Sequence, residues 1–455
     1  MDAPLTVAVV GSGPAGFYAA GALLDNSDLD VRVDMYERLA TPWGLVRAGV
    51  APDHPKIKSV SSVYAKIASE DSFRFFGNVH VGGPDGDVTR EELAERYDAV
   101  IYTVGAQSDR KLGIPGEELP GCEAALDFVG WYNGHPDFTG RSFDLTSRRA
   151  VVIGAGNVAL DVARILCSPV ERLARTDIAD HALEALAQSS IEEVVVVGRR
   201  GPAQAAFTTP ELKELPEYTE SGVIVYPEDL PDPADDDALP RAVKRNVSVM
   251  REYAQGETPL GARHIALRFL RSPVELRGDG KVEEIVLGRN ELKVGEDGWV
   301  SAVDTGERET LETGLVFRAV GYKGLSIEGL PYDERKGVIP NENGRIEGTE
   351  REYVAGWIKR GPTGIIGTNK KCAVETVTQL LADLESGTLR RHERDATEDI
   401  EEWLAGKQPH LVTETGWQLI DAAERAAGEA GGRPRVKFTD RERLLDVALG
   451  RAATV

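Results

Sequence analysis

The chain has 455 residues, 41% hydrophobic and 28% charged with 48 glycines, the profile of a folded protein with room for two or three cores. Its 75 acids against 53 bases leave a formal charge of −22, which disfavours nucleic acid and anionic membranes as partners. No run of 18 apolar residues occurs, so no membrane-spanning helix is expected.

The first strand begins so close to Met1 that no room is left for a leader, and the cytoplasm is the expected compartment. Cys122, Cys167 and Cys372 form no CxxC pair. That spacing argues against a disulfide framework, a thiolate metal site and a redox-active dithiol.

In chain order, Val7-Ala8-Val9-Val10 is an apolar strand that runs into Gly11-Ser12-Gly13-Pro14-Ala15-Gly16. A helix is predicted over 17–24, then a strand over 31–37 that ends in Glu37. Short strands are predicted at 75–81 and at 98–106, the second ending in a tight turn. Gly113-Ile114-Pro115-Gly116 breaks the pattern and opens a new region. There Ala150-Val151-Val152-Ile153 runs into Gly154-Ala155-Gly156-Asn157-Val158-Ala159, a helix follows over 158–166, and a strand at 194–198 ends in Arg199-Arg200. Further strands are predicted at 265–270, 281–287 and 315–320, after which Gly321-Tyr322 marks the return to the first region. Beyond about Glu393 the chain reads acidic and helical, with a final strand at 433–437.

Two strand–glycine-turn–helix units define an α/β protein with two Rossmann-like dinucleotide-binding domains, one inserted within the other. The expected boundaries are 1–107 and 323–455 for the outer domain and 108–322 for the inserted one. A pyrophosphate needs backbone N–H groups and a helix N-terminus close by, so Gly11 and Gly13 admit it while Gly16 lets helix and strand pack. Glu37 stands about 20 residues on, where an acid meets ribose hydroxyls. The second unit has Arg199-Arg200 there instead. Two guanidinium groups suit a 2′-phosphate, which implies NADP(H) in place of NAD. The competing readings are a glycine turn without ligand and a solvated basic pair.

Other blocks are more distinctive. Thr41-Pro42-Trp43-Gly44-Leu45-Val46-Arg47 leads to Gly49-Val50-Ala51-Pro52-Asp53-His54-Pro55-Lys56, and Gly356-Trp357-Ile358-Lys359-Arg360-Gly361-Pro362-Thr363-Gly364-Ile365-Ile366-Gly367-Thr368 comes later. With them the chain resembles the adrenodoxin-reductase-like ferredoxin–NADP reductases, particularly their actinobacterial branch, over nearly its whole length. The resemblance implies FAD on the first turn, held by Gly11, Gly13, Ala15, Gly16 and Glu37 with Leu45 and Val81. It places Trp357, Gly364, Ile365 and Ile366 by the isoalloxazine. It implies NADP(H) contacts at Arg110, Ala155, Gly156, Asn157, Val158, Arg199, Arg200 and Glu211. Two departures stand out: related flavoproteins usually carry Gly-Asp where this chain has Gly356-Trp357, and Ala155 stands where close relatives often have Asn.

His54, Glu211 and Glu214 are the candidate catalytic residues, the first two on the resemblance and Glu214 because it lies one helical turn from Glu211 if Pro210 starts a helix. Hydride transfer to flavin N5 needs no general acid, so their expected work is to position the nicotinamide and handle protons. For His54 a plain turn-stabilising role between two prolines competes.

The implied activity is a ferredoxin–NADP(+) reductase: hydride from NADPH to FAD N5, then single electrons to a separate ferredoxin-type iron–sulfur protein. Arg241, Lys244, Arg245 and Arg251 share one helical face as a candidate docking site, with a solvated basic face as the alternative. A monomer is expected from the resemblance. Rival readings are an electron-donating flavoprotein like the glutamate synthase small chain and a nucleotide-binding redox sensor without turnover. A thioredoxin-reductase-type enzyme is nearly excluded by the cysteines.

Overall fold

The computed structural model describes residues 4–219, 222–256, 263–391 and 399–451. The expected boundary at Glu393 lies outside the described residues. The chain divides into two compact units, one built from residues 1–108 and 322–455 and the other from 109–321. No helix among the described residues is long and apolar enough to cross a membrane.

The discontinuous unit is organised on a seven-stranded sheet. Strand Leu5–Val10 is central and buried along its length, which explains the apolar run Val7–Val10. It pairs in parallel with Val31–Glu37 on one side and Ala99–Tyr102 on the other. Phe73–Gly77 extends the sheet beyond Val31–Glu37, and Glu352–Val354 lies parallel to Ala99–Tyr102. Strand order therefore reverses at Leu5–Val10, and an open α/β sheet takes its ligand at the carboxyl ends beside such a reversal. Helices Pro14–Leu24 and Ile366–Glu385 complete the nucleus.

The expected strand at 75–81 begins earlier and ends at Gly77, and the one expected over 98–106 stops at Tyr102. From Thr103 onward the backbone turns, with the Thr103 N–H donating to the Val10 carbonyl at 2.7 Å. The expected terminal strand at 433–437 does not form among the described residues; that stretch bends at Arg433 and Pro434 and joins no sheet. Pro434 has no N–H to offer a ladder, and the Val436 N–H donates to the Glu424 carbonyl at 2.9 Å.

Glu424 explains why that stretch is fixed. Its carboxylate is fully buried and accepts from both Arg47 guanidinium nitrogens at 2.8 and 2.5 Å, from Arg435 at 3.1 Å and from the Phe438 N–H at 2.8 Å. A bare carboxylate so placed would cost several kcal/mol; four donors offset that. Trp43 and Trp417 meet edge to face at 4.8 Å beside it. The Trp43–Arg47 block thus anchors the C-terminal helices Glu414–Glu429 and Arg441–Ala448.

The continuous unit carries a six-stranded sheet in the order Cys122–Ala124, Leu315–Arg318, Arg149–Ile153, Glu193–Val197, His264–Arg268, Gly222–Val225, with every pairing parallel. Helix Asn157–Cys167 covers it through eight buried residues. A separate antiparallel sheet joins Arg271–Arg277, Glu284–Val294 and Val300–Glu312. Sequence patterning foresaw only part of it, because its outer strand is largely exposed and lacks a two-residue alternation.

Candidate functional site

Each unit presents one glycine turn at the carboxyl end of its central strands. In the discontinuous unit Gly11 has φ +106°, and a methyl group there would lie 2.8 Å from the Thr103 carbonyl oxygen. At Gly16 a methyl would stand 2.1 Å from the Gly11 carbonyl oxygen, so helix and strand close on one another only through glycine. Gly13 is different: nothing lies within 4 Å of a side chain built there. It is the N-cap of helix Pro14–Leu24, which has no side-chain cap. Its first N–H groups are therefore available to an anion.

Supporting groups fix this turn. The Ser12 N–H and hydroxyl donate to Glu37 Oε2 at 3.2 and 2.6 Å, and the Leu39 N–H donates to Oε1 at 3.0 Å. Glu37 therefore holds the turn while keeping lone pairs on both oxygens for a ribose diol. The Thr103 hydroxyl donates to the carbonyls of Val10 and Gly11 at 3.0 and 2.7 Å. Two distant glycines approach the same spot: a methyl on Gly44 would meet Gly13 Cα at 2.8 Å, and one on Gly356 would meet Ala15 Cβ at 2.6 Å. The expected residues Gly11, Gly13, Ala15, Gly16 and Glu37 are thus brought together, with Ser12, Thr103, Gly44 and Gly356 added. The glycine at 44 stood in a distinctive block, but its partner at 13 was not legible there.

Trp357 follows Gly356 directly. Its indole Nε1 is buried and donates to no atom among the described residues, and Tyr322 flanks its ring at 6.0 Å. An unpartnered buried donor is costly unless a ligand accepts from it. Arg360 spans the adjoining loop, donating to the Thr363 carbonyl and to Asn369 Oδ1 at 2.8 Å. The loop ends at exposed Gly364 and Ile365, where the 20-residue helix Ile366–Glu385 begins. An open turn, a bare helix N-terminus and an unpartnered indole N–H fit a dinucleotide carrying a hydrogen-bonding ring system. Leu45 is half-buried in the short helix Leu45–Ala48, and Val81 is half-buried in a bridge with Val88. His54 is buried and caps the short helix Pro55–Lys58, its carbonyl accepting from the N–H groups of Ile57 and Lys58.

In the continuous unit the second turn repeats the geometry. Gly154 has φ +141°, and a methyl there would be 2.2 Å from the Ala319 carbonyl oxygen, while Gly156 faces nothing within 4 Å. Gly156 caps helix Asn157–Cys167 without a side-chain bond. The following loop clamps the turn: the Ala206 N–H donates to the Ala155 carbonyl at 2.7 Å and the Thr208 N–H to Asn157 Oδ1 at 2.9 Å.

Arg199 is exposed and Arg200 half-buried. Neither forms an ion pair with any carboxylate among the described residues. Burial, then the Arg199 charge, push the Arg200 pKa down. Two adjacent guanidinium groups with no carboxylate partner among the described residues have the chemistry to meet an anion. Arg110 lies nearby in sequence to Asp109, its N–H donating to the Gly321 carbonyl at 3.1 Å.

Helix Thr209–Thr219 carries Glu211 and Glu214. Glu211 is buried, 3.4 Å from the fully buried Arg164 guanidinium, which also meets Asp161 at 2.7 Å; Glu214 is half-buried. The three cysteines are buried and unbridged. Burial pushes the Cys167 thiol up to about 12, so it is an inert thiol at neutral pH. The basic face on helix Arg241–Gln255 is thinner than its sequence: Lys244 pairs with Asp237 at 2.7 Å and Arg251 with Asp236. Arg241 and Arg245 remain exposed and carry no ion pair among the described residues.

Comparison with known proteins places this arrangement. Residues 5–208 match the pyridine nucleotide-disulphide oxidoreductase family. The chain is 56% identical, over 98% of its length and all of the relative's, to an NADPH-ferredoxin reductase FprA of Mycobacterium tuberculosis. It is 43% identical to the mitochondrial NADPH:adrenodoxin oxidoreductase of Salvelinus fontinalis, across 97% of this chain and 91% of that one. A solved structure of Mycobacterium tuberculosis FprA in complex with NADPH superposes with a TM-score of 0.95, at 56% identity and 98% coverage of this chain.

Proposed function

This chain belongs to the adrenodoxin-reductase-like NADPH–ferredoxin reductases, and from that premise we infer how its residues divide the work. It is an oxidoreductase that uses FAD and NADP(H), reducing a ferredoxin-type acceptor at the expense of NADPH. When bound, FAD supplies the chemistry: it takes a hydride at N5 and releases electrons singly.

The observation that carries the assignment is the contrast at the two strand ends. Gly11, Gly13, Ala15 and Gly16 cradle the FAD pyrophosphate on the helix N-terminus, and Glu37, an acid, takes the ribose hydroxyls. Leu45 and Val81 would contact the FAD, Val81 near its adenine end, and Trp357, Gly364, Ile365 and Ile366 would lie by the isoalloxazine, Trp357 offering an N–H that has no partner among the described residues. Ala155, Gly156, Asn157 and Val158 would cradle the NADP(H) pyrophosphate, and Arg199 and Arg200, which form no ion pair among the described residues, would take the 2′-phosphate, with Arg110 as a further cation. An acid there would repel that phosphate. Glu211, Glu214 and His54 orient the nicotinamide and hold the protons exchanged when the flavin is reoxidised. The pairing of Glu211 with Arg164 keeps that carboxylate fixed in place.

Electrons leave from the flavin to a separate iron–sulfur protein, because the three buried thiols offer no dithiol relay. The acceptor docks on Arg241 and Arg245, the two cations of the face that form no ion pair among the described residues. Lys244 and Arg251 serve chiefly to hold the Asp236-Asp237 segment. The protein works as a monomer in the cytoplasm.

Anaerobic NADPH is expected to bleach the visible flavin band of the purified protein at once, and ferredoxin from the same cell to restore it. A band that keeps its absorbance under NADPH would refute the reductase reading. For docking, the double variant Arg241→Glu, Arg245→Glu is expected to slow ferredoxin-coupled turnover roughly tenfold at low salt and to leave small-dye reduction unchanged. The difference should fade as salt shortens the Debye length below ~8–10 Å. A proportional loss in both assays would move the docking face elsewhere.

A further inference from the structure

The hairpin that joins Glu284–Val294 to Val300–Glu312 ends in a closed turn with Trp299 at its edge. The Gly295 N–H donates to the Trp299 carbonyl at 2.8 Å, and the Trp299 N–H to Asp297 Oδ1 at 2.9 Å. The indole is 60% exposed, an unusual setting for so large an apolar ring. Among the described residues the group over its ring is Arg200, whose Cζ stands 5.0 Å from the ring centroid.

The hairpin, and Leu270 just before its partner strand Arg271–Arg277, are registered on the arginine loop at several points. Asn290 Nδ2 donates to the Arg199 carbonyl at 2.8 Å and to Ser272 Oγ at 2.8 Å. The Leu270 N–H donates to the Arg200 carbonyl at 3.1 Å. Leu292 lies against Gly201, 3.3 Å from where a methyl group would be. The backbone of Arg199-Arg200 is thus fixed by the same sheet that presents the indole.

A guanidinium held against an indole by its face spends none of its N–H groups, since cation–π attraction uses the ring quadrupole. Its in-plane donors stay free for a phosphate, while the side chain loses the rotamer freedom that an exposed arginine would otherwise surrender on binding. We propose that Trp299 is a positioning residue for the 2′-phosphate of NADP(H): it holds Arg200 in the binding rotamer and so contributes to the preference for NADP(H) over NAD(H). This rests on the assignment of Arg199 and Arg200 to the 2′-phosphate and adds a residue from a different strand pair to that subsite.

The test uses the whole flavoprotein and two probes, 2′,5′-ADP, which carries the 2′-phosphate, and 5′-AMP, which lacks it. Trp299→Ala is expected to weaken 2′,5′-ADP roughly tenfold by calorimetry and to leave 5′-AMP unchanged. The KM for NADPH should rise by the same factor with kcat unaltered, and Trp299→Phe should restore most of the affinity. Because the indole is at an exposed hairpin tip, the variant should keep its flavin and its melting temperature, which is checked in parallel. Unchanged 2′,5′-ADP affinity in Trp299→Ala, or an equal loss for both probes, overturns the role of Trp299. The double variant Arg199→Ala, Arg200→Ala separates the two levels. If it loses 2′,5′-ADP selectively while Trp299→Ala does not, only the tryptophan role fails; if it too weakens both probes alike, the 2′-phosphate assignment fails with it.

Discussion

Gly13→Val is expected to purify as a folded protein without flavin, and Gly156→Val as a yellow protein that no longer takes electrons from NADPH. Both positions tolerate a side chain from the protein's own point of view, since nothing lies within 4 Å of a Cβ at either. Their φ angles of −79° and −118° suit any residue. What the added methyl groups would fill is the approach to the uncapped helix N-terminus, where a pyrophosphate must come close to backbone N–H groups. Losing several charge-assisted hydrogen bonds at about 1.5–3 kcal/mol each should lower affinity by a factor on the order of 10³. The ratio of visible to ultraviolet absorbance reports FAD, stopped-flow reduction reports NADPH, and thermal denaturation confirms the fold. Full flavin content in Gly13→Val, or unaltered reduction in Gly156→Val, would remove that turn from its assigned role. Gly16→Ala would be a poorer test: its methyl collides with the Gly11 carbonyl at 2.1 Å, so the fold itself is at stake.

Arg199→Ala combined with Arg200→Ala should raise the KM for NADPH roughly 10²–10³-fold, on about 1.5–3 kcal/mol per charged hydrogen bond, and shift that for NADH by no more than about twofold. The 2′-phosphate is the sole chemical difference between the two donors, so the contrast isolates the arginines' contribution. Lysines at both positions should recover only part of the loss, because a bidentate contact needs the planar fork. Equal changes for both donors would be incompatible with the assignment.

The cradles were legible in the sequence because their constraints are local. A strand, a turn that admits no side chain at Gly11 or Gly154, and a helix on its far side occupy one short window, and Glu37 and Arg199-Arg200 follow at the spacing that one crossover helix imposes. The expected terminal strand at 433–437 failed for the opposite reason. That stretch is held by Glu424 and not by a neighbouring strand: Arg435 donates to its buried carboxylate and the Val436 N–H to its backbone carbonyl. The basic face at 241–251 was readable as four cations, yet two are neutralised by Asp236 and Asp237 through a preceding turn that helical periodicity does not describe.

By itself the sequence determined the class of the protein, two dinucleotide sites of unlike preference on one chain without a dithiol, since glycine spacing, strand-end charge and cysteine count are read along the backbone. Only the tertiary structure decided what stands around those sites. Gly44 and Gly356 close on the first turn, Asn290 and Trp299 brace the arginine pair, and Arg47 meets Glu424 from the other end of the chain. These contacts join residues far apart in sequence, where no periodicity links the partners and only burial and register bring them together.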